Sequence, residues 1–353
     1  MPFDPSPPSL RDRRPVAYWL FGVTAMLWVM IVLGGATRSW GSGLSIMEWA
    51  PVSGILPPLS HAEWERLFAL YRQIPQYKLV NQGFGLAGFQ HIFWLEWVHR
   101  LWGRLVGVAV ALPLFLFWRR GLIDRRLGRR LVVLFCLGAV QGAVGWFMVA
   151  SGFMADSVAV SAYRLVVHLA LALVLFGAML WTALSVETRV PAVLTGWRQM
   201  RYWLIAATGL LTLTIVAGGF VAGTKAGFTY NTFPLMDGQL VPDGYFSMTP
   251  WWRNLFENVA AVQFDHRALA TATLVAFTTI GLVGLEAAPT ARLRRCFIAL
   301  SGAVLVQYAL GMTTLLLVVP PALGTLHQGV AMILLACALV TLHGLRGARR
   351  PSL

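Results

Sequence analysis

Eight apolar runs, each about as long as a bilayer is thick, constrain this chain more than any other feature. A helix needs about 20 predominantly apolar residues to cross a hydrocarbon core. The runs lie near 16–36, 90–118, 131–151, 161–185, 202–222, 259–285, 294–318 and 321–344. The chain is 58% hydrophobic and 12% charged, roughly half the charge of a soluble domain. The expected fold is an all-α membrane protein of eight transmembrane helices. Its 34 glycines and 15 tryptophans suit close helix contacts and interfacial aromatic belts.

The connectors set the orientation. Arg11, Arg13 and Arg14 precede the first run, and Arg119, Arg120, Arg125, Arg126, Arg129 and Arg130 join the second to the third. Arg189, Arg198 and Arg201 join the fourth to the fifth, Arg292, Arg294 and Arg295 the sixth to the seventh, and Arg346, Arg349 and Arg350 follow the last. Together these are 18 of the 28 basic residues, so this side is expected to be cytoplasmic, with both termini inside. The net charge of +14 thus sets topology, and no nucleic-acid partner is expected. Membrane lipid is. The polar first residues read as a short cytoplasmic tail rather than a cleavable leader, which favours a bacterial inner membrane. Cys136, Cys296 and Cys337 lie inside apolar runs with no CxxC spacing, so neither a disulfide framework nor a thiolate metal site is expected.

The two outer connectors near 37–89 and 223–258 are long. In the first, Ser60-His61-Ala62-Glu63 resembles a capping box, and Trp64, Leu67, Phe68 and Tyr71 after it predict an amphipathic helix lying on the membrane. The second holds Tyr230-Asn231-Thr232-Phe233-Pro234-Leu235-Met236-Asp237-Gly238, with turn chemistry at both ends.

Chemistry concentrates where four of the runs begin. Glu96-Trp97-Val98-His99-Arg100 is echoed by Gln263-Phe264-Asp265-His266-Arg267, and His168 and His327 open two further runs. Gly34-Gly35 and Gly218-Gly219 end the first and fifth runs, and Gln141 with Gly145 matches Gln307 with Gly311. These matches predict two parallel four-helix repeats related by a pseudo-twofold axis along the membrane normal. The expected divisions are a tail 1–15, an N-terminal repeat 16–185 with its outer loop 37–89, a linker 186–201, a C-terminal repeat 202–344 and a tail 345–353. Each histidine precedes an inner boundary residue (Arg119, Arg189, Glu286 or Arg346) by about 20 positions. At 1.5 Å per residue that is about 30 Å, placing all four near the outer edge of the core.

Ionisable groups inside apolar spans are expensive and are functional candidates by default. Two histidines from each half, with no cysteine or carboxylate cluster beside them, suit bis-imidazole heme iron. Zinc prefers three or four close ligands, and a proton relay leaves the repetition unexplained. Arg38, Arg100, Arg164, Lys225 and Arg267 stand at the same boundary and are candidates for heme propionates, against the alternative of interfacial snorkelling. His61, His91 and His343 have no counterparts and read as ordinary interface residues. Glu96 shares the His99 face, where the second half has Gln263. A carboxylate exchanges protons and an amide does not, and burial tends to raise a carboxyl pKa, so Glu96 is the catalytic candidate, against the alternative of a plain hydrogen bond to an imidazole or a neighbouring helix, and the first half the catalytic half.

With Gly34-Gly35-Ala36-Thr37-Arg38, the Glu96–Arg100 motif, His168, the loop 230–236, His266-Arg267 and His327, the chain resembles the heme A synthase family over nearly its whole length. The resemblance implies successive oxidation of the C8 methyl of heme O to the formyl of heme A, for cytochrome oxidase. It implies a heme b cofactor (iron protoporphyrin IX) on His266 and His327 and the substrate heme on His99 and His168. It also implies contact with heme O synthase and with an electron donor, and is compatible with a homo-oligomer. Some members carry a cysteine pair in the first outer loop; this sequence has none and looks like the proteobacterial and mitochondrial type. The competing reading is a diheme membrane cytochrome b that only transfers electrons. A transporter is a distant third, since Pro113 alone interrupts a run near its middle.

Overall fold

A computed structural model describes residues 13–155, 157–188 and 193–349. Arg11, Arg189 and Arg350, with most of both expected tails and part of the linker, lie outside the described residues. All eight apolar runs are helices: α1 (Arg14–Ser39), α4 (Leu86–Arg119), α5 (Arg125–Ala150), α6 (Ala162–Glu187), α7 (Arg198–Gly223), α9 (Val259–Ala287), α10 (Ala291–Leu316) and α11 (Pro321–Gly344). Between them sit α2 (His61–Tyr71) and α3 (Pro75–Leu79) in the first long loop and α8 (Asn254–Glu257) in the second. All eight are long and apolar enough to cross a membrane; the chain is a multi-pass membrane protein.

The helices start where the sequence offers caps. Asp124 accepts from the Leu127 amide at 2.8 Å to open α5, and its other oxygen holds Arg13 at 2.8 Å. Asn258 caps α9, Thr290 caps α10 and Pro321 opens α11. Most spans extend a few residues beyond the apolar runs, because arginines continue the helical turns past the hydrocarbon boundary.

Helix α1 packs on α4 and α6, and α5 on α4 and α6, closing one ring of four. In the same way α7, α9, α10 and α11 close a second. The rings meet where α1 lies on α11, α6 on α7, and α6 on α11. These four central helices are the most deeply buried, and α4 and α5 the least. Across the junction the Trp28 indole donates to the Gly329 carbonyl at 2.9 Å and the Gln328 amide to that of Ile31 at 2.8 Å.

One expectation is corrected. Helix α2 is capped as anticipated, Ser60 Oγ accepting from the Glu63 amide at 3.2 Å, but its apolar face is covered by protein. Trp64, Phe68 and Tyr71 pack on Phe89 and Phe93 of α4. At 34 residues α4 is about 51 Å long, longer than a hydrocarbon core of about 30 Å, and its first turns give α2 a protein surface to bury against.

Candidate functional site

The four histidines lie near one end of the bundle, paired by half. His99 of α4 and His168 of α6 belong to the first ring of helices, and His266 of α9 and His327 of α11 to the second. Each ring rests on a glycine of a neighbouring helix. A Cβ added at Gly34 would lie 3.3 Å from His99, and one at Gly145, Gly218 or Gly311 would lie 2.9 Å from His168, His266 or His327. No side chain larger than hydrogen fits without moving the imidazole.

The glycine pairs divide their work. Gly34 and Gly218 back a histidine of their own half. Gly35 and Gly219 admit the other half: a Cβ on Gly35 would strike Gln328, and one on Gly219 would meet Val166 and Leu169. The sequence matched these positions without revealing their reason.

Polar neighbours hold the rings. His266 Nδ1 lies 3.1 Å from the Thr214 carbonyl, which leaves Nε2 for a further partner. Gln307 Nε2 is 3.1 Å from His327 Nδ1, and Gln141 Nε2 is 3.0 Å from the His168 carbonyl and 3.4 Å from its ring. Several buried polar atoms here have no protein partner: His168 Nδ1, Gln141 Oε1, Gln307 Oε1 and Arg38 Nε. Such atoms are rare in native interiors, and in each half they include the oxygen of the glutamine that stands beside a histidine, Gln141 at His168 and Gln307 at His327.

Glu96 is placed differently from the expectation. It is buried, and five donors converge on it. Its Oε2 accepts from the Ser45 amide at 2.8 Å, the Ser45 hydroxyl at 2.7 Å and the Ile46 amide at 2.9 Å. Its Oε1 accepts from Arg100 Nε at 3.0 Å and Nη2 at 2.7 Å. Among the described residues it makes no hydrogen bond to His99. Gln263 holds the matching place with opposite polarity: its amide nitrogen donates to the carbonyls of Ala226 at 2.9 Å and Thr229 at 2.6 Å. The first loop offers N–H and O–H groups and meets a carboxylate; the second offers carbonyls and meets an amide. Both side chains fasten a loop, and each is matched in polarity to the backbone groups it meets.

The cations separate likewise. Arg100 is committed to the carbonyls of Ile46 and Glu48, both at 2.7 Å, and Arg267 to those of Thr232, at 2.9 Å, and Tyr230. Arg164 is half-buried, its guanidinium 3.8 Å above the Phe147 ring and donating to the Phe147 carbonyl at 2.8 Å. Lys225 is exposed in a left-handed turn at φ +59°. Arg38 and Arg267 each keep a buried Nε without a partner, and the remaining bonds of Arg38, to Ala222 at 3.3 Å and Ser39 at 3.4 Å, are long. His61 pairs with Glu65 at 3.7 Å, His91 is exposed, and His343 lies at the opposite end against Trp181.

Sequence reasoning missed Ser45 and Thr214, which carry no motif signal. A family model for cytochrome oxidase assembly proteins matches residues 17–339. A heme A synthase of Granulibacter bethesdensis is 57% identical over 97% of this chain and 90% of its own length. Those of Brucella ovis and Brucella anthropi are each 46% identical over 96% of this chain and 94% of theirs.

Proposed function

The chain belongs to the cytochrome oxidase assembly protein family, among enzymes of heme A biosynthesis, and from that premise we propose that it oxidises the C8 methyl of heme O to the formyl of heme A. The substrate iron is bound by His99 and His168, and a resident b-type heme by His266 and His327. The observation that carries this is two imidazoles in each half, each backed by a glycine, with an unpartnered glutamine oxygen beside one of them in each half.

The donor set fits a heme. Neutral imidazoles are its usual protein ligands, and Thr214 and Gln307 fix the rings of the second pair as outer-shell partners of ligating histidines do. Bound there, a b-type heme supplies one-electron redox chemistry. Arg38, with unspent donors where α1 meets α7, is the cation best placed for a propionate. Glu96 and Arg100 act as positioning residues, fixing Ser45–Glu48 over the first pair, and Gln263 and Arg267 fix Tyr230–Thr232 over the second. Converting methyl to formyl removes hydrogen and adds oxygen, so the first half needs an electron partner and an oxygen source. We place the arginine-rich end in the cytoplasm and the histidines near the periplasmic face of a bacterial inner membrane.

A diheme electron carrier would need the same histidines. Two observations favour the synthase: the named relatives, and the sparser burial of α4 and α5 compared with α9 and α10, which suits a half whose ligand must exchange. The test is pigment extraction from membranes containing the protein with and without heme O. Heme A should appear only with the active protein, and a variant-independent mixture of heme B alone would leave the carrier reading in place.

A further inference from the structure

Three side chains on one face of α4, spaced by four, hold the first long loop along the helix. Glu96 takes the amides of Ser45 and Ile46, Arg100 the carbonyls of Ile46 and Glu48, and Arg104 those of Ala50 and Pro51, both at 2.8 Å. The loop therefore runs beside α4 in the helix's own direction for two turns, about 12 Å. Arg104 lies five residues beyond His99, about 7.5 Å further along, and its long side chain leans back towards the helix start. The loop tip thus reaches at least the level of His99. There it turns, with Gly54 N donating to Ala50 O at 3.1 Å and Ile55 N to Val52 O at 3.3 Å. It then climbs to α2, which rests near Phe89.

The turning segment, Trp49–Leu59, contains no charged residue. Trp49, Val52, Ile55, Leu56 and Leu59 are exposed, Val52 by 75% and Leu59 by 80%. A contiguous apolar surface of this kind marks an interaction site. At this depth the obvious neighbour is lipid. Unpartnered backbone groups are costly in hydrocarbon, which favours the boundary of the leaflet for this segment, and arginines in a span need partners. Arg104 and the carbonyls of Ala50 and Pro51 satisfy one another there. The segment also bridges to α5: the Trp49 and Trp146 rings stack at 6.2 Å and 12°, across the pair of helices least buried in the bundle.

We propose that residues 49–59 dip into the lipid leaflet on the histidine side and, closed by Trp49 on Trp146, form a lateral door between α4 and α5 for an isoprenoid-tailed porphyrin arriving from the membrane. The door rests on the proposed activity; the insertion does not. In a background with Cys136, Cys296 and Cys337 changed to Ala, nitroxide labels at Val52→Cys and Leu56→Cys in proteoliposomes should relax with oxygen and not with a water-soluble nickel chelate, as at Phe115→Cys. A label at His61→Cys should do the reverse. Nickel access at 52 and 56 equal to that at 61 would refute the insertion. For the door, Trp49→Cys and Trp146→Cys are joined by a short bis-maleimide and supplied with heme O in vesicles. The joined protein should convert it at least ten-fold more slowly than either single variant, with the second-half heme spectrum unchanged. Unimpaired conversion in the joined protein overturns the door. If the single variants and their parent all fail to convert heme O, the activity reading falls and the door with it, while the spin labels still decide the insertion.

Discussion

Replacing Glu96 with Gln separates a loop fastener from a proton-exchanging group. The amide keeps one oxygen, so either the two bonds from Arg100 or the three from Ser45 and Ile46 lose their acceptor. Hydrogen bonds to a charged group contribute about 1.5–3 kcal/mol each, and breaking a buried pair from one side costs about 3–5 kcal/mol. Taking about 3 kcal/mol, the equilibrium for releasing the loop rises roughly a hundred-fold. The assay is hydrogen exchange at the Ser45 and Ile46 amides, which donate directly to Glu96. Both should lose about two orders of magnitude of protection in Glu96→Gln, while the spectrum of the second-half heme stays as in the parent. Heme A formation should fall with the loop. Ser45→Ala should cost less in the Glu96→Gln background than alone, since the two residues share one contact. Full protection of both amides alongside collapsed heme A formation would refute the fastener and return the carboxylate to the chemistry.

His266→Ala or His327→Ala should remove most b-type absorbance from the purified protein; unchanged spectra in both would sink the ligand assignment. Gly311→Ala, whose Cβ would lie 2.9 Å from His327, should strain the site by about 1–3 kcal/mol and weaken heme retention about ten-fold or more, whereas Gly302→Ala, which meets open space, should change nothing in the same titration. Labelling engineered cysteines with an impermeant reagent should place residues 230–243 outside and 119–130 inside; the reverse pattern overturns the sidedness. Arg66 holds Glu48 and Glu63 below the usual carboxylate range through hydrogen bonds. Carboxylates depressed in the fold stabilise above their ordinary pKa and cease to as pH falls through the lowered one, so proteolysis between the first loop and α2 should speed up only in acid below about pH 4. The effect should be small, because the groups are partly exposed.

What the sequence made legible was what the bilayer enforces. A span must be long and apolar, so all eight helices could be placed, and charged loops settle on one side. The histidines drew notice for a related reason: an ionisable side chain in an apolar span is costly, and four stand at matched positions, each against a glycine of a neighbouring helix. The glycines at 34, 145, 218 and 311 were visible as coincidences, but their purpose depends on which helix faces which, and that follows from packing α1 on α4 and α10 on α11. Helix α2 was identified correctly from its cap and moment and assigned the wrong surface, because periodicity tells that a face is buried and not by what.

Glu96 against Gln263 shows the limit most sharply. Two matched positions that differ by a titratable group invite a chemical explanation, and the sequence alone could not decide between that and a plain hydrogen-bonding role. The partners of the two side chains, Ser45 and Ile46 on one side and Ala226 and Thr229 on the other, are more than thirty residues away in each case. Whether those loop segments present amides or carbonyls depends on backbone direction, which leaves no trace in side-chain identity. The halves differ in two further ways: α4 and α5 are less buried than α9 and α10, and the first loop is held along α4 by Glu96, Arg100 and Arg104 while the second is fastened by Gln263, Asn231 and Arg267. A half that must exchange its ligand with the membrane needs a loose helix pair and a loop that reaches lipid; a half that keeps its ligand needs neither.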